Sequence, residues 1–217
     1  MSQCQCQGME SLFDRELAES QLRRVHRRGP QRTTSILLEA LQDRDVRGRT
    51  LLDIGGGVGI IPHRLLAAGA ARATAVDASS AYLSVARAEA QRLGIADSVR
   101  SLHGDFVAVA AAVSPADIVT LDRVVCCYDD MPALLTASAA RTLHTCGVVY
   151  PRSVWWTRIG VGVLNIILRL RGNPFRVFVY RTEQVESVLG AAGLSRTFHR
   201  KAGMWQVTLF ERAEQAA

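Results

Sequence analysis

Lysine is nearly missing from this 217-residue chain: Lys201 stands alone, and every other basic residue is an arginine. That bias follows genome base composition as readily as function, so the placement of the arginines says more than their number. Acidic residues are missing from two stretches. Met131 to Thr182 has none, yet Arg141, Arg152, Arg158, Arg169, Arg171, Arg176 and Arg181 lie there. Ser20 to Leu38 is also acid-free and holds Arg23, Arg24, Arg27, Arg28 and Arg32. With a net charge of +6, such blocks suit an anionic ligand, a membrane surface or a nucleic acid, or serve as solvated surface and helix-end charge. The start MSQCQCQGME lacks the apolar run of a signal peptide, so the expectation is a cytoplasmic chain with reduced thiols. Five cysteines, an odd number, exclude a fully paired disulfide framework. Cys4 and Cys6 lack the C-x-x-C spacing of zinc sites, so no metal is expected. The rival is a tail that folds back and gathers thiolates with Cys127 around a soft metalloid. No repeat or linker divides the chain, and its length suits one domain with a full core.

What is present is an alternation of short apolar strands and helical patterns. Residues 1–10 read as a disordered polar tail, and 11–217 as one domain. A helical cap over 11–48 contains a helix from Ser11 to Arg28, with Leu12, Leu17, Leu22 and Val25 on one face, stopped by Gly29-Pro30. A second helix runs from Thr33 to Gln42. RTLLDIGGG is a buried strand entering glycines, with a helix over Pro62–Ala68. ATAVDAS, SVRSLHGD, ADIVTLDRVVCC and GVVYPR supply four more strands, separated by helical sequence. TEQVESVLGAAG is a capped helix, and LSRTFHRKAGMWQVTLFER an antiparallel hairpin at the sheet edge. The pattern predicts an α/β fold with a doubly wound, mostly parallel sheet.

The stretch SVWWTRIGVGVLNIILRLRG, in an apolar, basic insert over 153–181, is too short and too polar for a membrane span. Read as a helix, it puts Arg158, Gly162, Asn165 and Arg169 on one narrow polar stripe. Such a helix packs into the core, closes over an apolar substrate, or lies in a membrane interface. Core packing is the plainest of the three, and peripheral membrane contact through 153–171 is the boldest.

In open parallel sheets the ligand crevice lies beyond the carboxyl ends of the strands. Asp53-Ile54-Gly55-Gly56-Gly57-Val58-Gly59 falls at the first such end. Ile60 stands where a nicotinamide fingerprint needs its third glycine, and no Gly-Lys-Ser/Thr follows to make a P-loop. A carboxylate two residues before the first glycine is ill suited to pyrophosphate and well suited to a cation. Asp77 closes the second strand, placed to accept bonds from ribose hydroxyls. Gly104-Asp105-Phe106 follows the third, with an acceptor for an adenine amino group, and Asp122 ends the fourth.

DIGGGVG, VDAS, GDF and LDRVV resemble the successive motifs of class I S-adenosylmethionine-dependent methyltransferases, from about Thr50 to Pro151. The resemblance implies a seven-stranded Rossmann-like sheet whose last strand is reversed. It implies S-adenosylmethionine as cofactor and S-adenosylhomocysteine as product. It places Asp53 near the ammonium, Gly55, Gly57 and Gly59 under the methionine part, Asp77 on the ribose, and Asp105 and Phe106 around the adenine. Ile54, Gly56, Ala78, Gly104 and Asp122 complete the expected cofactor set. LDRVVCCYDD, GVVYPRSVWW and the arginine-studded insert are similar to magnesium-protoporphyrin O-methyltransferases and related bacterial proteins. Cys127 here stands where some members have histidine, and Asp129 where they have proline.

By that resemblance the chain methylates a small, apolar, anionic acceptor, with oxygen favoured. An oxygen or carbon acceptor needs a base, and a carboxylate needs none. The candidate bases are His26, His103, His144, His199, Tyr82, Tyr128 and Tyr150. Tyr128 ranks first because it follows the fourth strand, and Cys127 beside it is the second residue expected at the acceptor. If they lie in a strand, Cys126 and Cys127 point to opposite faces and do not share a metal. The alternatives are an RNA-directed methyltransferase or nucleic-acid binder using the arginine blocks, and a non-catalytic sensor of the cofactor.

Overall fold

The structure, a computed structural model, describes residues 12–213; the polar tail with Cys4 and Cys6 lies outside them. Helix α1 (Arg15–Arg28) begins at Asp14, whose carboxylate accepts from the Leu17 amide at 2.8 Å, and ends at Gly29 with φ 73°. The helix therefore begins at Arg15. Ala18 is fully buried with Val58, Tyr82 and Val85, while Leu17 points to solvent, a correction to the expected stripe. Helix α2 (Arg32–Gln42) lies directly on the sheet. Its Leu37 and Leu41 are fully buried against the sheet.

The remaining elements follow in chain order: β1 (Thr50–Ile54), α3 (Ile60–Ala67), β2 (Arg72–Asp77), α4 (Ser80–Arg92), β3 (Val99–His103), α5 (Phe106–Val109), β4 (Ala116–Asp122), α6 (Met131–Ala140), β5 (Thr142–Pro151), α7 (Trp155–Leu170), α8 (Thr182–Ala191), β6 (Leu194–Ala202) and β7 (Trp205–Arg212). The seven strands lie in the order β3-β2-β1-β4-β5-β7-β6. β1 to β5 are parallel, and β7 is antiparallel to both β5 and β6. This is the expected doubly wound sheet with its hairpin at one edge. The period-two alternation of strands sorts neighbours onto two faces. Leu51, Val149 and Leu209 meet α2 and α3, whereas Leu52, Val148 and Phe210 meet α5, α6 and α8. Leu37→Ala leaves a void in the first face and is expected to cost about 2–5 kcal/mol, read from urea denaturation midpoints.

Two expectations change here. β4 stops at Asp122 instead of running to Cys127, because Arg123 takes a left-handed φ of 63° and turns the chain into a 3-10 turn over Val125–Cys127. The apolar run was legible as burial, but burial is not extension: Val125 and Cys126 are buried within the turn. Core packing of α7 is also overturned. Only Thr157, Val161 and Leu168 of that helix are buried. Among the described residues no helix is long and apolar enough to cross a membrane.

Candidate active site

Chain order reverses direction across the sheet between β1 and β4, where an open α/β sheet forms its crevice. The loop 55–59 leaves β1 there. Asp53 is fully buried beneath it. Thr120, its neighbour in register on β4, donates its hydroxyl to Oδ1 at 2.6 Å. Among the described residues, Oδ2 of Asp53 has no hydrogen-bond partner. Burial pushes this carboxyl up to about 8, reinforced by the nearby Asp122 and Asp77 and opposed by the Thr120 bond. The glycines are required sterically. A Cβ on Gly56 would stand 2.1 Å from Asp53 Oδ2, and one on Gly55, where φ is 61°, would stand 2.5 Å from Val124.

Asp77 shapes the same loop from β2. Its Oδ2 accepts from the Gly57 amide at 3.1 Å and its Oδ1 from the Ser79 amide at 2.8 Å. Burial raises its carboxyl above the usual range, and these two amides oppose the rise. Gly104 bonds the Asp77 carbonyl through its amide at 3.0 Å, and His103 Nε2 lies 3.1 Å from the carbonyl oxygen of Ala78. Asp105 caps α5 by accepting from the Val107 amide, and its Oδ1 also accepts from the Tyr128 hydroxyl at 2.6 Å. Phe106 and Ile54 are both buried in the core cluster on the α5 and α6 face. Asp122 is turned to the protein: Thr34 donates to Oδ2 at 2.6 Å and Arg123 to Oδ1 at 3.1 Å. Arg123 also donates to Gln31, so residues of the N-terminal segment hold the strained position after β4.

The acceptor end is built around the 3-10 turn. Cys126 and Cys127 are not on opposite faces, as a strand would have put them; their sulfurs lie 3.8 Å apart, both near the Arg123 carbonyl. The Cys127 partner and burial raise the Cys126 thiol, which keeps it protonated. Among the described residues no group of three or more His, Cys, Asp or Glu side chains could hold a metal ion. The insert covers this turn. The Phe178 amide donates to the Cys126 carbonyl at 2.7 Å, and the Tyr180 hydroxyl to the Tyr128 carbonyl at 2.7 Å. Phe175 packs edge-on to Phe13, which packs edge-on to Tyr82. Ser79 donates to the Phe13 carbonyl at 2.8 Å, tying this aromatic stack to the end of β2.

Of the candidate bases, Tyr128, His103 and Tyr82 reach the site end, Tyr82 lying beside Gly57. His26 pairs with Glu89, His144 lies near Asp117 at the opposite end of the sheet, and His199 lies beside Gln206 on the edge hairpin. Burial pushes the Tyr82 and Tyr150 hydroxyls up to about 12, far from a base at neutral pH. Thr120, Phe13 and Phe175 were not singled out from the sequence, and neither was His63, whose ring lies under Gly59. Only His63 carried a local signal, one helical turn beyond that glycine. A cleft of about 350 Å³ opens at the amino ends of the strands, lined by Arg72, Arg100 and Asp97, and holds none of the expected site residues.

This fold, with acidic residues closing successive strands around a glycine loop, is the one found in solved S-adenosylmethionine-dependent methyltransferases. Residues 51–147 match the model of the family described as a methyltransferase domain. The ribosomal protein L11 methyltransferase of Enterobacter sp. (strain 638) is 38% identical over 69 residues, 32% of this chain and 24% of that protein. The chain thus spans about a quarter of the length of the curated relatives it matches. The magnesium protoporphyrin IX methyltransferase of Synechocystis PCC 6803, solved with bound S-adenosylhomocysteine, superposes with TM-score 0.67 at 20% identity over 83% of this chain and 81% of that one. An O-methyltransferase family protein of Burkholderia thailandensis superposes with TM-score 0.71 at 16% identity, covering 94% and 62%.

The residues fit the cofactor of this class. An unpaired buried carboxylate oxygen under the loop, a glycine cradle that a Cβ would fill, and two further carboxylates suit a cationic ligand without phosphate.

Proposed function

We propose that this chain transfers a methyl group from S-adenosylmethionine to a small, apolar acceptor bearing a carboxylate or acidic hydroxyl, with oxygen the methylated atom. The observation that carries the reading is the buried Asp53 carboxyl with its unpartnered oxygen against the glycine loop. When bound, the cofactor supplies an activated methyl group on a sulfonium. Asp53, Asp77 and Asp105 hold its cationic, ribose and adenine parts in this reading, along the loop from Gly55 to Gly59 and with Ala78 and Gly104 at the strand ends. Phe13 and Phe175 stack edge-on beside the end of β2 and shield that side of the site from water in this reading. In-line displacement demands placement more than acid–base help, and a carboxylate acceptor removes the need for a base. The net positive charge of the acid-free stretch from Met131 to Thr182 favours such an anion. Magnesium protoporphyrin IX, named for the Synechocystis neighbour, is one acceptor of this class.

Tyr128 acts in this reading as a positioning residue, since its hydroxyl is bound to Asp105. Tyr128→Phe is expected to weaken cofactor affinity about tenfold, the size of one hydrogen bond to a charged group. Its kcat should stay within a few-fold. A base would show the opposite split, a kcat loss of about 10²–10⁴ with affinity retained.

The test is titration with S-adenosylmethionine and S-adenosylhomocysteine, then methyl transfer to a panel of acids, phenols and porphyrin propionates. Failure of both ligands to bind contradicts the reading. An RNA acceptor is the rival, favoured by the exposed Arg23, Arg24, Arg27 and Arg28 on α1. A gel shift with total RNA that weakens steeply with salt would support it instead.

A further inference from the structure

Helix α7 is amphipathic in the inverted sense. It turns Thr157, Val161 and Leu168 to the protein, with Asn165 half-buried beside them. Outward, at helical spacing, stand Trp155, Ile159, Val163, Ile166 and Leu170, exposed by 73, 59, 51, 60 and 82%. Eight of the eleven large apolar side chains exposed among the described residues belong to this one helix. Scattered exposed leucines need no explanation, but a contiguous stripe does. Nor is the stripe a fraying segment. Asn165 clasps the Val177 backbone in both directions, donating to its carbonyl at 2.8 Å and accepting from its amide at 2.9 Å. The Asn173 amide closes the helix end on the Leu168 carbonyl at 3.0 Å.

Charge selects the occupant. Arg158 and Arg169 flank the stripe on one side and Arg171 ends the helix, all three exposed. Among the described residues no carboxylate pairs with them, and none occurs between Met131 and Thr182. A two-fold contact with a second copy would bring these arginines toward their own equivalents, with no acid from the helix to separate them. A bilayer with anionic headgroups accepts both features at once: acyl chains take the apolar stripe, and phosphates take the guanidinium flank. Tryptophan at one end of the stripe fits the interfacial zone, where a ring needs an apolar and a wet side. Sixteen residues rise about 24 Å, enough to lie along a membrane surface.

We propose that α7 is an interfacial anchor that lays this protein on an anionic lipid surface, with Trp155, Ile159, Val163, Ile166 and Leu170 entering the acyl boundary. α7 follows the carboxyl end of β5, the sheet end that carries the glycine loop, and its insert bonds the Cys126–Cys127 turn. The anchored face therefore lies at the acceptor side of the site. Attachment goes beyond the methyl-transfer reading and does not depend on it; only delivery of an acceptor from the lipid does.

The test is co-sedimentation of the full chain with phosphatidylcholine vesicles, with and without phosphatidylglycerol, alongside tryptophan emission. The expected result is binding to the anionic vesicles with a blue shift. Ile159→Asp combined with Ile166→Asp should abolish it while circular dichroism and S-adenosylhomocysteine binding stay unchanged. Arg158→Gln and Arg169→Gln should each weaken it by roughly fivefold. No binding of the wild-type chain to either vesicle, or unchanged binding of the double aspartate variant, would overturn the anchor. Equal binding to neutral and anionic vesicles would overturn the headgroup contact. A dimer that the double variant dissolves would assign the face to a second copy instead.

Discussion

Gly56→Ala abolishes S-adenosylmethionine binding and lowers the melting temperature by several degrees. The added Cβ meets Asp53 Oδ2 at 2.1 Å and Cγ at 2.8 Å. That carboxyl has nowhere to swing: it is fully buried, and Thr120 holds its other oxygen at 2.6 Å. The loop must therefore move, and it is the loop that the proposal places under the cofactor. Overpacking of this kind costs about 1–3 kcal/mol, which for a chain of this size is roughly 2–4 °C per kcal/mol. Gly190→Ala is the control. Among the described residues nothing lies within 4 Å of its added Cβ, and alanine suits a helix better than glycine, so the melting temperature should hold or rise and cofactor affinity should hold. Calorimetric titration and thermal melts read both variants. Wild-type affinity in Gly56→Ala would remove the loop from the site.

The second large effect is a pH dependence set by Asp53. Its carboxyl stands at about 8 in the folded protein against an ordinary 3.8. Between those values the folded state holds a proton that the unfolded state has released, so stability without ligand falls as pH rises from about 4 to 8. The slope is at most about 1.4 kcal/mol per pH unit. A cation placed near Asp53 reverses the preference by favouring the carboxylate, so binding expels the proton. Cofactor affinity should accordingly climb with pH between about 6 and 7.5, approaching tenfold per unit. Titrations in buffers of different ionisation enthalpy should count close to one proton released. Asp53→Asn should flatten the profile and weaken binding at pH 7.5. A wild-type affinity indifferent to pH would place the cation elsewhere.

The sheet and its crevice were largely legible in the sequence because they rest on local signals: alternating apolar strands, acidic residues at strand ends, and glycines where one cradle needs them. What escaped depends on partners remote in sequence. Thr120 is an ordinary strand threonine until the parallel register sets it beside Asp53. Phe13 and Phe175 meet only after the N-terminal segment and the insert converge. The run VVCC is apolar enough for a strand, and only the left-handed turn at Arg123, held by Asp122 and Gln31, shows that it curls away. Periodicity in α7 showed a polar stripe but not which side the protein covers. That choice is made by Asn165 clasping Val177, and it reverses the plainest expectation.

The most direct test is calorimetric titration of the wild-type chain with S-adenosylhomocysteine, with NAD⁺ as the control that the missing third glycine and the buried carboxylates exclude. The account predicts saturable one-to-one binding of S-adenosylhomocysteine and none of NAD⁺. Binding of NAD⁺ in its place, or of neither, would contradict it.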